Sequence, residues 1–152
     1  VFGAAWVFGA ARVSGTARVY GTAWVFGDAW VFGDAQVSGT ARVSDNARVS
    51  GTAQVYGTAQ VEKPQHVLTL GPIGSENVTI TAFRTKDGHH VHVGCWNGQI
   101  GDLWAEVKDR KRHQWHVDDT TKGQWKAEYK AAIALIGLRV ASWTPVAEQV
   151  AA

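Results

Sequence analysis

The chain has 152 residues, 45% apolar and 18% charged, with a formal net charge of +2, which is the composition of an ordinary globular protein and not of a disordered one. Four arginines face three aspartates in residues 1–61, and the remainder is equally balanced, so no basic half argues for specific nucleic-acid binding. No run approaches the ~18 consecutive apolar residues of a membrane-spanning helix, and nothing at the start has the charged-then-apolar form of a signal peptide. The single cysteine, Cys95, excludes an internal disulfide and fits either a reducing compartment or a protein that needs no such staples. A cytoplasmic location is expected, with a virion or filament surface as the alternative. The sequence contains no Met, so the chain is expected to begin inside a longer product, with residues upstream of Val1 missing.

A strict period fills the first sixty residues. Val recurs every six residues from Val1 to Val61, Ala follows each Val by four residues from Ala5 to Ala59, and Gly follows by two except at Asp45. The unit is V-x-G-x-A-x. Six matches neither the 3.6 of a helix nor a plain hairpin series, and its spacing puts Val and Ala on one side of an extended segment. Extended segments joined by glycine turns at a fixed period must coil.

This pattern resembles the hexapeptide repeats of left-handed parallel β-helices, known from a large acyltransferase family and from γ-class carbonic anhydrases. The resemblance covers residues 1–61 and implies a mainly β fold of about three triangular coils, three hexapeptides to a coil, with residues eighteen apart stacked. The family usually has a small residue directly after the aliphatic one, whereas here that place holds Phe, Ser, Tyr or Glu and the Gly comes one later. Residues 1–63 are therefore expected to be a hexapeptide-repeat β-helix, and residues 64–152 an α+β capping or adaptor domain.

Stacking at eighteen generates outward columns. Trp6, Trp24, Arg42 and Gln60 form one, Arg12, Trp30 and Arg48 a second, and Arg18, Gln36 and Gln54 a third. The residues after each Val add Phe2 and Tyr20, Phe8 and Phe26, and Phe32. Eight outward aromatics, Phe2, Trp6, Phe8, Tyr20, Trp24, Phe26, Trp30 and Phe32, then crowd into the first two coils and would make a contiguous apolar surface larger than monomers usually expose. With arginines at its edge it has the composition of an interface centre. The alternative is that the rings satisfy one another as ladders along the helix.

Pro64 ends the repeat. "HVLTL", "NVTITAFRT" and "HHVHVGCW" alternate as three strands, separated by the turn-forming "GPIGSEN" and "KDG". Two helices are expected next, in "GDLWAEVKDRKR" and "GQWKAEYKAAIALIGLRV", with Leu103, Trp104 and Val107, then Trp125, Tyr129, Ala132, Ile133, Ile136 and Val140, facing inward. Helices packed on one sheet face would complete a small unit and cover the last coil. The strings "LGPIGSEN", "TITAFRTKDG", "GCWNG", "LWAEV" and "YKAAI" resemble a small accessory domain of phage and prophage-like bacterial proteins over residues 68–139; the resemblance implies a mobile-element setting and no known activity.

Chemistry is thinly signalled. The families resembled by the repeat work through histidine, yet all six histidines lie beyond residue 61, which leaves an acyltransferase or carbonic anhydrase little to work with. His90, His92 and Trp96 are expected on one strand face and Val91, Val93 and Cys95 on the other, which puts the thiol in the core. A zinc site from His90, His92, His113 and His116 matches no established spacing. Gly71, Gly74, Ser75 and Asn77 could cradle a phosphate but read more simply as a turn. No catalytic residue, metal or cofactor is expected. The leading expectation is a non-catalytic structural protein that assembles with itself through its aromatic faces, as a trimer by the resemblance, with end-to-end stacking as an addition. The alternative is a small-ligand, nucleotide-like binding or sequestering protein, and a hexapeptide-family acyltransferase comes third.

Overall fold

The structure, a computed structural model, describes residues 1–74, 77–113 and 115–143, with the backbone alone over 110–113. In each repeat the Val and the residue before it are extended, which suits a β-branched side chain. The Gly two places later takes a left-handed conformation, as at Gly27 with φ 66°, that Gly alone enters at little cost. Ten two-residue strands result: β1 (Trp6–Val7), β2 (Arg12–Val13), β3 (Arg18–Val19), β4 (Trp24–Val25), β5 (Trp30–Val31), β6 (Gln36–Val37), β7 (Arg42–Val43), β8 (Arg48–Val49), β9 (Gln54–Val55) and β10 (Gln60–Val61). They pair in parallel as β1-β4-β7-β10, β2-β5-β8 and β3-β6-β9, the three sides of a solenoid of three turns.

The register joins residues eighteen apart. Trp6 faces Trp24, Trp24 faces Arg42 and Arg42 faces Gln60 on the first side. Arg12, Trp30 and Arg48 align on the second, and Arg18, Gln36 and Gln54 on the third. Every column expected from the period is present. The repeat Val from Val19 to Val61 and the repeat Ala from Ala23 to Ala59 are fully buried inside the prism.

Close stacking makes a second demand on glycine. A Cβ built on Gly27 would lie 2.9 Å from the Asp45 nitrogen, and one on Gly39 2.9 Å from the Gly57 nitrogen. Gly51 and Gly57, on the last coil, have nothing within 4 Å. Asp45 replaces glycine with φ 54°, in a column that holds no further repeat glycine because Lys63 stands eighteen residues on. Asp tolerates the left-handed region better than most side chains. Beside these turns the hydroxyls of Thr16, Thr22 and Thr40 donate to the carbonyls of Gly33, Gly39 and Gly57 at 3.2, 3.0 and 2.9 Å, tying each coil to the next.

A short 3-10 turn, Pro64–His66, leads into an antiparallel sheet of β11 (Val67–Ile73), β12 (Val78–Thr85), β13 (Gly88–Val93) and β14 (Trp96–Gly98), in that order. Helices α1 (Ile100–His113) and α2 (Asp119–Ala141) follow. Ile80, Ala82, Val91 and Val93 pack with Leu103, Val107, Tyr129, Ala132 and Ile136 in a second core. Trp104, Trp125, Ile133 and Val140 lie against it as the helical spacing indicated.

Three details depart from expectation. The sheet has four strands, because β11 continues through Gly71 and Pro72 to Ile73 with a bulge after Leu70, so "GPIGSEN" is only partly a turn. Gly94, at φ 57°, folds the chain back after Val93. Cys95 consequently sits exposed in that turn, and Trp96 pairs with Val93 and joins the helical core instead of sharing a face with His90 and His92. Helix α2 starts before Gly123 because the Asp118 carboxylate accepts from the Thr121 N–H at 2.7 Å and caps it.

The other face of the sheet closes the solenoid. Phe83, on β12, is buried among the solenoid residues and meets Tyr56 at 5.4 Å between ring centroids. The Lys86 N–H donates to the Thr58 carbonyl at 3.0 Å, and Thr85 bridges to Ala59. Arg84, fully buried, donates to the Gln60 carbonyl at 3.3 Å and pairs with Glu62 at 3.5 Å. The Tyr56 hydroxyl lies 3.0 Å from His90 Nε2 and 3.1 Å from His92 Nδ1. His66 Nδ1 accepts from the Glu62 N–H at 3.1 Å. Burial, helped by the charges of Arg84 and Lys63, lowers His66 to about 4. Burial also lowers His90 and His92, opposed at His90 by a hydrogen bond with the Asn97 side chain that favours the protonated ring, and helped at His92 by the neighbouring His90.

Two expectations follow from these contacts. Gly57→Ala should cost about 1–2 kcal/mol for the left-handed backbone alone, and Gly39→Ala distinctly more, because its methyl also meets the backbone of the next coil; equal shifts in urea midpoint would contradict the stacking argument. The second concerns pH. The folded chain takes up protons on His66, His90 and His92 only at lower pH than the unfolded chain, whose imidazoles titrate at about 6.5, so the unfolded state binds more protons below that value. Their contribution to stability is whole above about pH 6.5 and falls as pH drops towards 4, the value for His66. Urea unfolding should therefore show a lower midpoint at pH 5 than at pH 7.5, with part of the difference removed by His66→Gln.

Candidate functional site

The side built from β1, β4, β7 and β10 carries the densest aromatic group. Residues on either side of the inward Val point out, so Trp6 and Phe8 lie on one coil and Trp24 and Phe26 on the next. Phe8 and Phe26 stack at 5.1 Å with planes 3° apart, and Trp6 and Trp24 at 6.1 Å and 22°. Edge contacts join the two stacks, Trp6 to Phe8 at 6.4 Å and Phe8 to Trp24 at 6.1 Å. On the third coil the Arg42 guanidinium covers Trp24, 4.9 Å from its centroid, an arrangement favoured by the negative face of the indole. Stacking does not hide the rings: Trp6 remains 61%, Phe8 42% and Trp24 36% exposed.

The other four expected aromatics lie elsewhere. Trp30 and Phe32, half-buried, meet at 4.5 Å on the second side, where Arg48 covers Trp30 at 5.6 Å and the Trp30 Nε1–H donates to Ser14 Oγ at 3.1 Å. Phe2 and Tyr20 are exposed on the third side, and the Tyr20 hydroxyl donates to Gln36 Oε1 at 3.2 Å. All eight point outward, but as one group of four and two pairs on three sides of a prism. They do not make the single contiguous surface that the columns suggested.

The glycine loop is organised around a helix. A Cβ on Gly71 would lie 2.6 Å from the Val78 carbonyl, and one on Gly74 would strike the Tyr129 ring at 2.5 Å. The Gly74 N–H donates to Glu128 Oε2 at 3.0 Å, so a carboxylate already occupies the donor a phosphate would use. Asn77, at φ 49°, turns the chain into β12. Ser75 lies outside the described residues.

The histidines divide in the same way. His90 and His92 are held by Tyr56 at the junction, His116 is exposed beyond α1, and the His113 side chain lies outside the described residues. Among the described residues no group of three or more His, Cys, Asp or Glu is placed to hold a metal. His89 Nε2 accepts from the Ile100 N–H at 3.0 Å, at the first residue of α1, and burial with the neighbouring His90 lowers its pKa. The junction set of Tyr56, His66, Phe83 and Arg84 was not singled out from sequence. Its one signal was apolar residues on both faces of "TITAFRT", the mark of a strand covered twice.

Comparison with known proteins bears on the repeat alone. The family model described as the YdcK beta-solenoid repeat matches residues 41–57, within the third coil. No curated protein and no solved structure matches the chain.

Proposed function

We propose that this chain is a non-catalytic structural module that assembles with further copies of itself through the Trp6, Phe8, Trp24 and Phe26 side of its solenoid. The observation that carries this reading is the four-ring group itself: its members are already in mutual contact, and three of them are still exposed. Monomers seldom leave joined aromatics in water, and a ladder ordered beforehand loses little side-chain freedom on docking. Arg42 lies at the edge of this side over Trp24, in the role arginine often has beside interface aromatics. Lateral packing suits it better than stacking at the last coil, which β12 covers. A trimer packed side by side, and a phage or mobile-element setting, come from the resemblances of residues 1–61 and 68–139 and belong to the same reading.

Sedimentation equilibrium tests it. The unaltered chain should run as an oligomer, and Trp6→Gln with Trp24→Gln should bring it to the monomer mass while its far-ultraviolet circular dichroism is retained. Leu138→Gln, a change of an exposed residue on α2, should leave the mass alone. A monomer at every concentration, or an oligomer indifferent to the double change, would reject the assembly.

A further inference from the structure

Where the β12–β13 turn settles on the solenoid, a groove of about 450 Å³ opens between the two units, lined by Thr40, Arg42, Thr58, Gln60 and Lys86. Thr40 and Thr58 stand eighteen apart at one corner, Arg42 and Gln60 are paired across β7 and β10 on the adjoining side, and Lys86 comes from the turn. Two cations, two hydroxyls and an amide face a common space with no carboxylate in its wall. Of the acidic residues nearest in sequence, Glu62 is paired with Arg84 at 3.5 Å, and Asp87 does not line the groove.

The donors are placed beforehand by contacts unrelated to any ligand. The Arg42 guanidinium lies over Trp24, 4.9 Å from the ring centroid, a contact that holds it without using its N–H donors, and no hydrogen bond or ion pair engages them among the described residues. The Lys86 backbone is anchored to the Thr58 carbonyl at 3.0 Å, and Thr85 beside it bridges to Ala59, so the ammonium is carried to the groove by the join between the units. The Thr40 hydroxyl spends its single proton on the Gly57 carbonyl at 2.9 Å and has none for an anion, whereas the Thr58 hydroxyl and the Gln60 side-chain amide make no hydrogen bond among the described residues. A second groove at the junction, lined by Thr52, Gln54, Thr79, Thr81 and His92 among others, carries no Arg, Lys, Asp or Glu. Charge is concentrated in one of two otherwise similar clefts.

We infer that the Arg42–Lys86 groove binds an oxyanion, carried as a phosphate or sulfate ester or a sugar carboxylate on a small molecule. A guanidinium fork from the solenoid and an ammonium from the β12–β13 turn, lining one groove, suit a tetrahedral or planar anion, and the volume lies within the range of small-ligand sites. The site requires both units, since neither the solenoid nor the turn alone supplies both cations. It does not need the assembly, because both cations come from one chain, although Arg42 also borders the aromatic side.

The test is a titration of the full chain followed by backbone amide chemical shifts, at constant ionic strength, with inorganic phosphate, inorganic sulfate and glucuronate as separate probes. At least one probe should give saturable shifts centred on Thr40, Arg42, Thr58, Gln60 and Lys86, and the tightest identifies which anion chemistry the groove takes. Arg42→Gln and Lys86→Gln should each weaken that probe by about tenfold, the usual scale for losing one charge-assisted hydrogen bond. Arg18→Gln, a cation on another side of the solenoid, should leave it unchanged. Unsaturable shifts with all three anions, shifts spread over every basic surface, or an equal loss with Arg18→Gln would overturn the site.

Discussion

Each coil of the solenoid donates backbone N–H groups to the carbonyls of the next, as Trp6 does to Ala23 at 2.9 Å, Phe8 to Val25 at 3.0 Å and Thr16 to Gly33 at 3.1 Å. That ladder can close only if corresponding residues stand eighteen apart and the turns between strands are alike. The constraint reaches every other feature. It sends Val and Ala inward at each repeat, because a slip of one residue would turn the whole set outward. It forces Gly at corners where the next coil passes within 3 Å of a missing Cβ. It also aligns outward residues of like kind, which is how separate Trp and Phe positions become ladders.

A stacked prism leaves its interior open at each end, and the second unit answers this at one of them. The sheet of β11 to β14 works as a partition with a core on each face. Ile80, Ala82, Val91 and Val93 belong to the helices, and Phe83 belongs to the solenoid. Placing an aromatic side chain over the last coil requires the backbone around it to find partners, and it does: Lys86 and Arg84 take the Thr58 and Gln60 carbonyls, and Thr81 Oγ1 receives the Gln54 N–H at 3.4 Å. The histidines of β13 are part of this economy of contacts. Tyr56 satisfies both His90 and His92 at once, so imidazoles that looked like possible metal ligands in the sequence are fixed as hydrogen-bonding groups at a seam.

The solenoid was legible in the sequence because its physics is local and repeated: ten identical spacings of Val, with Ala four residues after each Val from Val1 to Val55 and Gly two residues after all but Val43, where Asp45 stands, leave a single register, and the Trp6–Trp24–Arg42–Gln60 column follows by counting. The second unit was legible as to type, since "NVTITAFRT" alternates and Trp125, Tyr129, Ala132 and Ile136 recur at helical spacing. It was misread wherever one residue reset the pattern. Gly94 interrupts the alternation that had carried Cys95 inward, and Asp118 begins a helix that Gly123 had seemed to begin. The surface reading shows the same limit. Counting by eighteen shows which rings align, but which side of a prism each column occupies depends on the turn geometry, and Phe83 reaches the solenoid core only through contacts across the whole chain.

The columns also change character along the axis, and the cap gives the reason. The outward Trp and Phe are confined to the first two coils, while the outward positions nearer to β12 hold Arg, Gln, Thr and Ser with Tyr56 as their one ring, where backbone and side chains must meet the polar partners of the β12–β13 turn. On the first side the two regimes meet at Arg42. Its guanidinium covers the exposed Trp24 on one coil and lines the groove shared with Lys86 on the next. Drawing that side chain towards an anion would uncover more of the indole, and pressing a partner onto the indole would restrict where the guanidinium can reach. The aromatic side and the cationic groove are therefore joined through one residue, whose place is set by nothing more than its count in the repeat.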